Sequence, residues 1–383
     1  MHLRRLVLGV TAVAVFVQWA HLVVSPRGDF ALHRAFARHL LEGRSLYENG
    51  VNPYTPFWAL VWVPVTFLPE RLAQPLVFPL GLAALGLLLA AVRRTFTAPV
   101  DSFWVAAAAI LLASRFVVRD LWDCGPNLAI AALVWLGVLE WQRGHDVRGG
   151  VALGLATALK WTPLLVIAAF LWKRQWRLAG ASALATALFT LAPAAVTGPR
   201  ALLADLSTWG GHVVRGVSQG DPSRGVLGPE SPIGIALRPS LGSLLVPPLA
   251  PRLAGRVIAV VLAGLVAFAA WRLREPAARD DPRVPYQLAA VAVLALLLSP
   301  ISWRQHAVAA LPALFGVALR VKERGAVPGW LWLLLVPWVL FLLVLSRGVA
   351  GLPVSEWVHA HGVYALLLLG LFFATLRCEK PLP

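Results

Sequence analysis

The chain is a succession of apolar runs of membrane length, many of them closed by basic residues, and that pattern leaves few folds open. About 20 apolar residues in a helix cross the roughly 30 Å hydrocarbon core of a bilayer. Of the 383 residues, 59% are hydrophobic, and the mean hydropathy is +0.73. A soluble core does not absorb so many such runs. Seventeen Trp and 29 Pro fit interfacial rings and interrupted helices. The expected fold is an all-α polytopic membrane protein, one integral membrane domain over 1–383.

Basic flanks orient the runs. The first, about Leu6 to Val24, leads out to an outer segment at 25–71. Arg4 and Arg5 ahead of it look like a signal peptide, but the near-span length favours a retained anchor. Pro56 to Pro69 is apolar yet short for a span, so it should lie juxtamembrane in the outer leaflet. Leu72 to Val92 returns to Arg93 and Arg94, Ser102 to Val118 goes out, and Asn127 to Gln142 comes back to Arg143. Val147 to Trp172 has basic residues at both ends. Two half-length helices meeting near Lys160-Trp161-Thr162-Pro163 keep both flanks inside, which predicts a hairpin. Leu178 to Val196 leads to a second outer segment, 197–251. The remaining expected spans are Arg252 to Trp271, Pro285 to Pro300, His306 to Leu319, Gly329 to Leu345 and Val358 to Leu376. That path has about ten spans plus the hairpin, with both termini cytoplasmic.

The formal net charge of +16 is scattered between apolar runs and makes no single basic face, so nucleic acid is not an expected partner. Basic pairs beside membrane helices orient the chain and contact anionic lipid. Cys124 and Cys378 fall on opposite sides of this path and have no metal-ligand spacing, so neither a disulfide nor a metal is expected. There is no phosphate-cradling Gly-x-x-x-x-Gly-Lys-Ser/Thr and no Gly-x-Ser-x-Gly elbow.

On this path polar residues converge on one face. They are Asp29, His33 and Tyr54, then Asp120, Asp123 and Asn127, then Glu230 and Arg238, then Ser302, Trp303, Arg304 and His306. An active site at a membrane surface needs such convergence, although loops collect polar residues anyway. Asp29 also suits the N-cap of the amphipathic segment it opens. Asp120 and Asp123 also suit a solvated turn or a pair with Arg119. Lys160 sits in an apolar stretch, where a charge is functional unless it snorkels to the surface. His306 suits an interfacial helix start. Arg34 and Arg38, four residues apart and opposite Leu32, Phe36 and Leu40, suit docking on a membrane surface.

Three blocks, in order, resemble glycosyltransferase family 87, the polyprenol-phosphate-mannose-dependent enzymes of the GT-C class. The first is Asp29 with Leu41-Glu42-Gly43-Arg44-Ser45-Leu46-Tyr47 and Tyr54-Thr55-Pro56. The second is Gly149-Gly150-Val151-Ala152-Leu153-Gly154-Leu155-Ala156, ending in Lys160-Trp161-Thr162-Pro163. The third is Ser299-Pro300-Ile301-Ser302-Trp303-Arg304-Gln305-His306, similar to the family's Ser-Pro-x-Ser-Trp-x-His-His. The chain departs from the family at three turns. Cys124-Gly125-Pro126-Asn127 stands for Gly-Gln-x-Asn, Pro229-Glu230-Ser231-Pro232 for Asn-Gln-Ser-Leu, and Gln305-His306 for a His pair.

The resemblance implies a GT-C bundle of about 10–12 membrane helices with outer-face juxtamembrane helices. It implies transfer of a hexose, mannose in the family, from a polyprenyl-phosphate donor to a lipid or glycan acceptor. The face is the outer side of a bacterial cell (inner) membrane, and no cofactor or metal is needed. Asp29 would be the general base. Lys160, Arg304 and His306 would receive the donor phosphate, and Tyr54 and Trp303 would stack on sugar. Asp120, Asp123, Asn127, Glu230 and Arg238 would shape the site or meet the acceptor. The alternatives are a lipid-linked sugar transporter or flippase, which would place polar groups at the midplane, and a catalytically inactive membrane scaffold.

Overall fold

The computed structural model describes residues 2–24, 28–47, 54–99, 101–218, 237–246, 248–299, 302–345 and 347–379, and every regular element among them is a helix. Side-chain contacts between helix ends set the direction of each element. Helix α1 (His2–Val24) starts with Arg4 paired to Asp101 and ends with Trp19 Nε1 donating to Pro75 O. Helix α4 (Glu70–Thr95) begins where Gln74 Nε2 donates to Trp122 O, at the end of α5 (Phe103–Asp123). It finishes where Gln142 Nε2 donates to Thr95 O, at the end of α6 (Asn127–Gln142). Asp123 and Asn127 therefore lie at one end of the bundle, and Arg93, Arg94 and Arg143 at the other.

The stretch after Arg143 forms two helices, α7 (Asp146–Leu159) and α8 (Leu164–Trp172), broken at Lys160–Pro163. Gly149 of α7 faces Leu178 of α9 (Trp176–Leu191), and Gly154 faces Ala185, so α7 and α9 run parallel. Trp141 Nε1 donates to Gln175 Oε1 at 2.9 Å, which sets the start of α9 beside the end of α6. Thus α8 runs back along the bundle, as the doubly basic flanks require, and Lys160 is carried to the hairpin's tip. At 14 residues, α7 is about 21 Å long. A glycine at 154 lets the helices touch: a Cβ there would stand 2.5 Å from that of Ala185 and 2.7 Å from Ser182 O.

The later helices repeat the alternation. Helix α13 (Pro251–Arg272) ends, and α14 (Arg283–Leu298) starts, in a polar clasp where Lys173 Nζ donates to Glu275 O and Arg283 pairs with Asp281. The expected span from His306 is instead a 3-10 turn, Arg304–Ala310, followed by α15 (Leu311–Arg324); Pro312 in the first turn of α15 favours a fresh helix start. Arg320 Nε donates to Cys378 O at the end of α18 (Val363–Cys378), and Lys322 Nζ to Asp101 O. Free Cys124 and Cys378 lie at opposite ends, both buried.

Among the described residues, four helices are long and apolar enough to cross a membrane: His2–Val24, Glu70–Thr95, Trp176–Thr197 and Pro251–Arg272. A fifth span arises if the bent pair Gly329–Val344 and Gly348–Val358 counts as one. The 16-residue helices α6, α14 and α18 are shorter, at about 24 Å each, and are largely buried. Helix α5 is 21 residues long but carries Arg115, Arg119, Asp120 and Asp123. The chain is a polytopic, all-helical membrane protein.

Helices α2 (Phe30–Leu41) and α3 (Pro56–Thr66) lie at the Asp123 end. Helix α3 has 11 residues, too few to span, as its length in the sequence predicted. Arg34 corrects the surface-docking expectation. It is buried, and its Nη2 donates to Thr66 O (3.2 Å) and Leu68 O (2.9 Å), satisfying carbonyls at and beyond the C-terminus of α3. Asp205 of α11 (Pro199–Ser218) holds the turn after α2 by accepting from Ser45 Oγ and Leu46 N.

Candidate active site

The polar residues of that end form two hydrogen-bonded groups, one around Asp29 and Asp123 and one around Asp120 and Lys160, joined by the last turn of α5. Asp29 precedes α2 and is half-buried, but its carboxylate makes no hydrogen bond to the first turn, so the capping role is absent. Its Oδ2 instead accepts from Gln305 Nε2 at 3.3 Å, and its backbone N–H donates to Asp123 Oδ1 at 3.3 Å. Asp123 also pairs with Arg119 at 2.8 Å. Burial, reinforced by the Asp29 charge and opposed by Arg119, pushes the Asp123 carboxyl up to about 6.

Asp120 is fully enclosed and accepts from Asn127 Nδ2 (2.7 Å) and Leu128 N (2.9 Å), which anchors the first turn of α6. Burial raises its carboxyl to about 6 against those donors. With its amide nitrogen taken by a carboxylate, Asn127 presents Oδ1 to Lys160 Nζ at 3.3 Å. That amide orientation follows from chemistry, since a carboxylate only accepts and an ammonium only donates. Gly125, one of the departures from the family pattern, leaves room for this arrangement: a Cβ there would stand 2.5 Å from Asp120 Oδ1.

Lys160 is 4% exposed and sits over the Tyr54 ring at 5.5 Å. The neighbouring Thr55 hydroxyl donates to Ala158 O, pinning this segment to the hairpin. Burial and the nearby Asp120, Asp29 and Asp123 push the Tyr54 hydroxyl well up. His33 is packed against Tyr54, Trp58 and Trp62, and its Nδ1 accepts from Trp58 Nε1 at 3.1 Å. Burial disfavours the charged imidazole and lowers His33 to about 3.

The 3-10 turn brings the third block to the same place. Trp303 N donates to His306 Nδ1 at 3.0 Å, and Ser302 Oγ donates to Leu296 O at 3.0 Å. Trp303 and Arg304 are half-buried, and Gln305 and His306 are buried. His306, Asn127, Thr162 and Lys160 line one small cavity of about 40 Å³. Lys160 also borders a larger apolar cavity of about 360 Å³, lined by Trp161, Leu164, Leu165, Trp209, Val213 and Leu298 among others. Trp161 and Trp209 meet edge to face at 4.6 Å beside it.

A family model for glycosyltransferase family 87 matches residues 52–300, well over half of the sequence. The chain belongs to glycosyltransferase family 87. The matched region includes Tyr54, Asp120, Asp123, Asn127 and Lys160, whereas Asp29, Trp303 and His306 lie outside it and join the site through the contacts above, and Arg304 through its place in the same 3-10 turn. Membership makes glycosyl transfer the activity class of this family 87 enzyme.

Of the residues singled out in the sequence, the fold gathers Asp29, Tyr54, Asp120, Asp123, Asn127, Lys160, Trp303, Arg304 and His306 at one end. Glu230 lies outside the described residues, as does the side chain of Arg238. Two contributors were missed. Gln305 was visible only as a departure from a His pair, and Trp209 carried no local signal in its amphipathic helix. Among the described residues, no three His, Cys, Asp or Glu side chains stand close enough together to hold a metal ion.

Proposed function

We propose that the enzyme moves a hexose, mannose, from a polyprenyl-phosphate donor to a lipid or glycan acceptor at the outer face of a bacterial cell membrane, without a metal. The observation that carries this reading is the position of Lys160. One buried ammonium stands where the apolar cavity of about 360 Å³ meets a polar end: Lys160 is bonded to Asn127, Asn127 to Asp120, and on the same turn of α5 Asp123 accepts from the backbone of Asp29. An amphiphilic anion with an isoprenoid tail and a phosphate head has that division of chemistry. The clustering of Arg93, Arg94, Arg143, Lys173 and Arg320 at the opposite end favours that end as cytoplasmic.

In the proposed reaction the acceptor oxygen attacks the anomeric carbon and its proton passes to the Asp29 carboxylate. The bond from that carbon to the phosphate oxygen breaks, and its electrons leave with polyprenyl monophosphate. Single displacement inverts the anomeric centre. Lys160, Arg304 and His306 supply positive charge or donors to the departing phosphate, and Tyr54 and Trp303 offer faces to the sugar. Polar groups gathered at one end, rather than at mid-bundle, argue against alternating access.

The test is transfer of labelled mannose from polyprenyl-phosphate mannose to a total envelope extract by the purified enzyme. Wild type should release polyprenyl phosphate in step with transfer. Lys160→Met should raise donor KM or abolish turnover while the protein stays folded. Equal donor use by the variant would reduce Lys160 to a buried structural cation. Failure of wild type with every polyprenyl-phosphate sugar tried would sink the reading.

A further inference from the structure

Gln305 occupies a position that the sequence marked only as a departure. It is 7% exposed and lies in the first turn of the 3-10 element Arg304–Ala310. That turn is fixed on both sides. His306 Nδ1 takes the Trp303 N–H at 3.0 Å, and Ser302 Oγ ties the entry to Leu296 O of α14 at 3.0 Å. From this base Gln305 reaches back 276 positions along the chain and donates from Nε2 to Asp29 Oδ2 at 3.3 Å. A carboxylate only accepts, so the amide must present its NH2 side. Among the described residues no other side chain donates to the Asp29 carboxylate, and the first turn of α2 gives it no cap bond.

We infer that Gln305 is the positioning residue for Asp29, holding Oδ2 so that Oδ1 is left for the acceptor hydroxyl. The inference rests on the reading of Asp29 as the base. A primary amide is suited to this task because it donates without titrating. Its hydrogen bond fixes which carboxylate oxygen is occupied and which stays free. A histidine at the same place would donate too, but it would add an ionisation of its own. The ionisable groups within electrostatic reach of Asp29 are Asp123, with its partner Arg119 on α5, and Tyr54 before α3; Arg304 and His306 share the turn of Gln305.

The experiment compares Gln305→Leu, Gln305→His and Asp29→Asn in mannose transfer from polyprenyl-phosphate mannose, each matched to wild type for amount and unfolding midpoint. Gln305→Leu should lower kcat about 10- to 100-fold, the rate equivalent of one hydrogen bond to a charged group. Its donor KM should stay within about threefold, because a residue that orients the base makes no use of ground-state donor binding. Gln305→His should restore most of kcat and add a second ionisation to the pH–rate profile. If Asp29→Asn is inactive while Gln305→Leu keeps wild-type kcat, the positioning role is overturned and the base assignment survives. If Asp29→Asn keeps wild-type activity, the base assignment itself fails. Should Gln305→Leu not fold, Gln305→His decides: a profile without a new ionisation overturns the inference.

Discussion

Replacing Gly154 by alanine should damage this enzyme out of proportion to the one methyl group added. The ideal Cβ at 154 meets Ala185 Cβ at 2.5 Å, Ser182 O at 2.7 Å and Thr186 N at 2.8 Å, where ordinary contact begins at 3.4 Å. Two of those atoms are backbone, so no rotamer change relieves the clash, and α7 must move from α9 by about 1 Å. Overpacking of this kind costs about 1–3 kcal/mol. Lys160 lies six residues further on, about 9 Å along the chain axis. A rigid shift of α7 carries its ammonium with it and stretches the 3.3 Å bond to Asn127 beyond hydrogen-bond range. The control is Gly180→Ala on α9, where a Cβ meets nothing within 4 Å. That change should stabilise by about 0.5–1 kcal/mol, because it removes a glycine from a helix interior. The two variants should therefore shift thermal unfolding in detergent in opposite directions, and Gly154→Ala alone should raise donor KM. A Gly154→Ala protein that unfolds at or above the Gly180→Ala midpoint would refute the packing argument and the hairpin geometry derived from it.

Two further outcomes follow from the same site. In a background lacking Cys124 and Cys378, an impermeant thiol reagent added to intact cells should label a cysteine at position 303 and spare one at 143; the reverse pattern would overturn the outer-face orientation. Asp123 has its folded-state carboxyl raised to about 6, so its ionisation weakens the fold as pH rises from about 4 through 6. The stability gap between Asp123→Asn and wild type should change across that window, moving in the variant's favour as pH rises, and a gap independent of pH would contradict the electrostatic account.

What could be read ahead of the structure was what depends on local pattern. The hairpin was legible because two basic flanks, near Arg143 and at Lys173-Arg174, cannot be served by a single crossing. The gathering of Asp29, Asp123, Asn127 and Trp303 was legible because span direction alternates, and the place of Lys160 followed only from the hairpin. Contacts that close over long separations were not legible. Arg34 looks like a surface cation in its amphipathic segment, and only the placement of Thr66 and Leu68 turns it into a buried partner for carbonyls. Asp29 sits where an N-cap belongs, yet its carboxylate turns toward Gln305. Nothing in either segment encodes that pairing, because it exists only once α14 and the 3-10 turn have folded against α5.

The account stands most directly on Asp29. Asparagine keeps the shape of aspartate, but its amide cannot serve as the proton acceptor. Purified Asp29→Asn, matched to wild type in amount and unfolding midpoint, is to be assayed for mannose transfer from polyprenyl-phosphate mannose. The account predicts a loss of about 10²–10⁴-fold, the usual cost of removing a general base. Transfer within about threefold of wild type, far less than such a base should cost, would contradict it and leave Asp29 without a catalytic role.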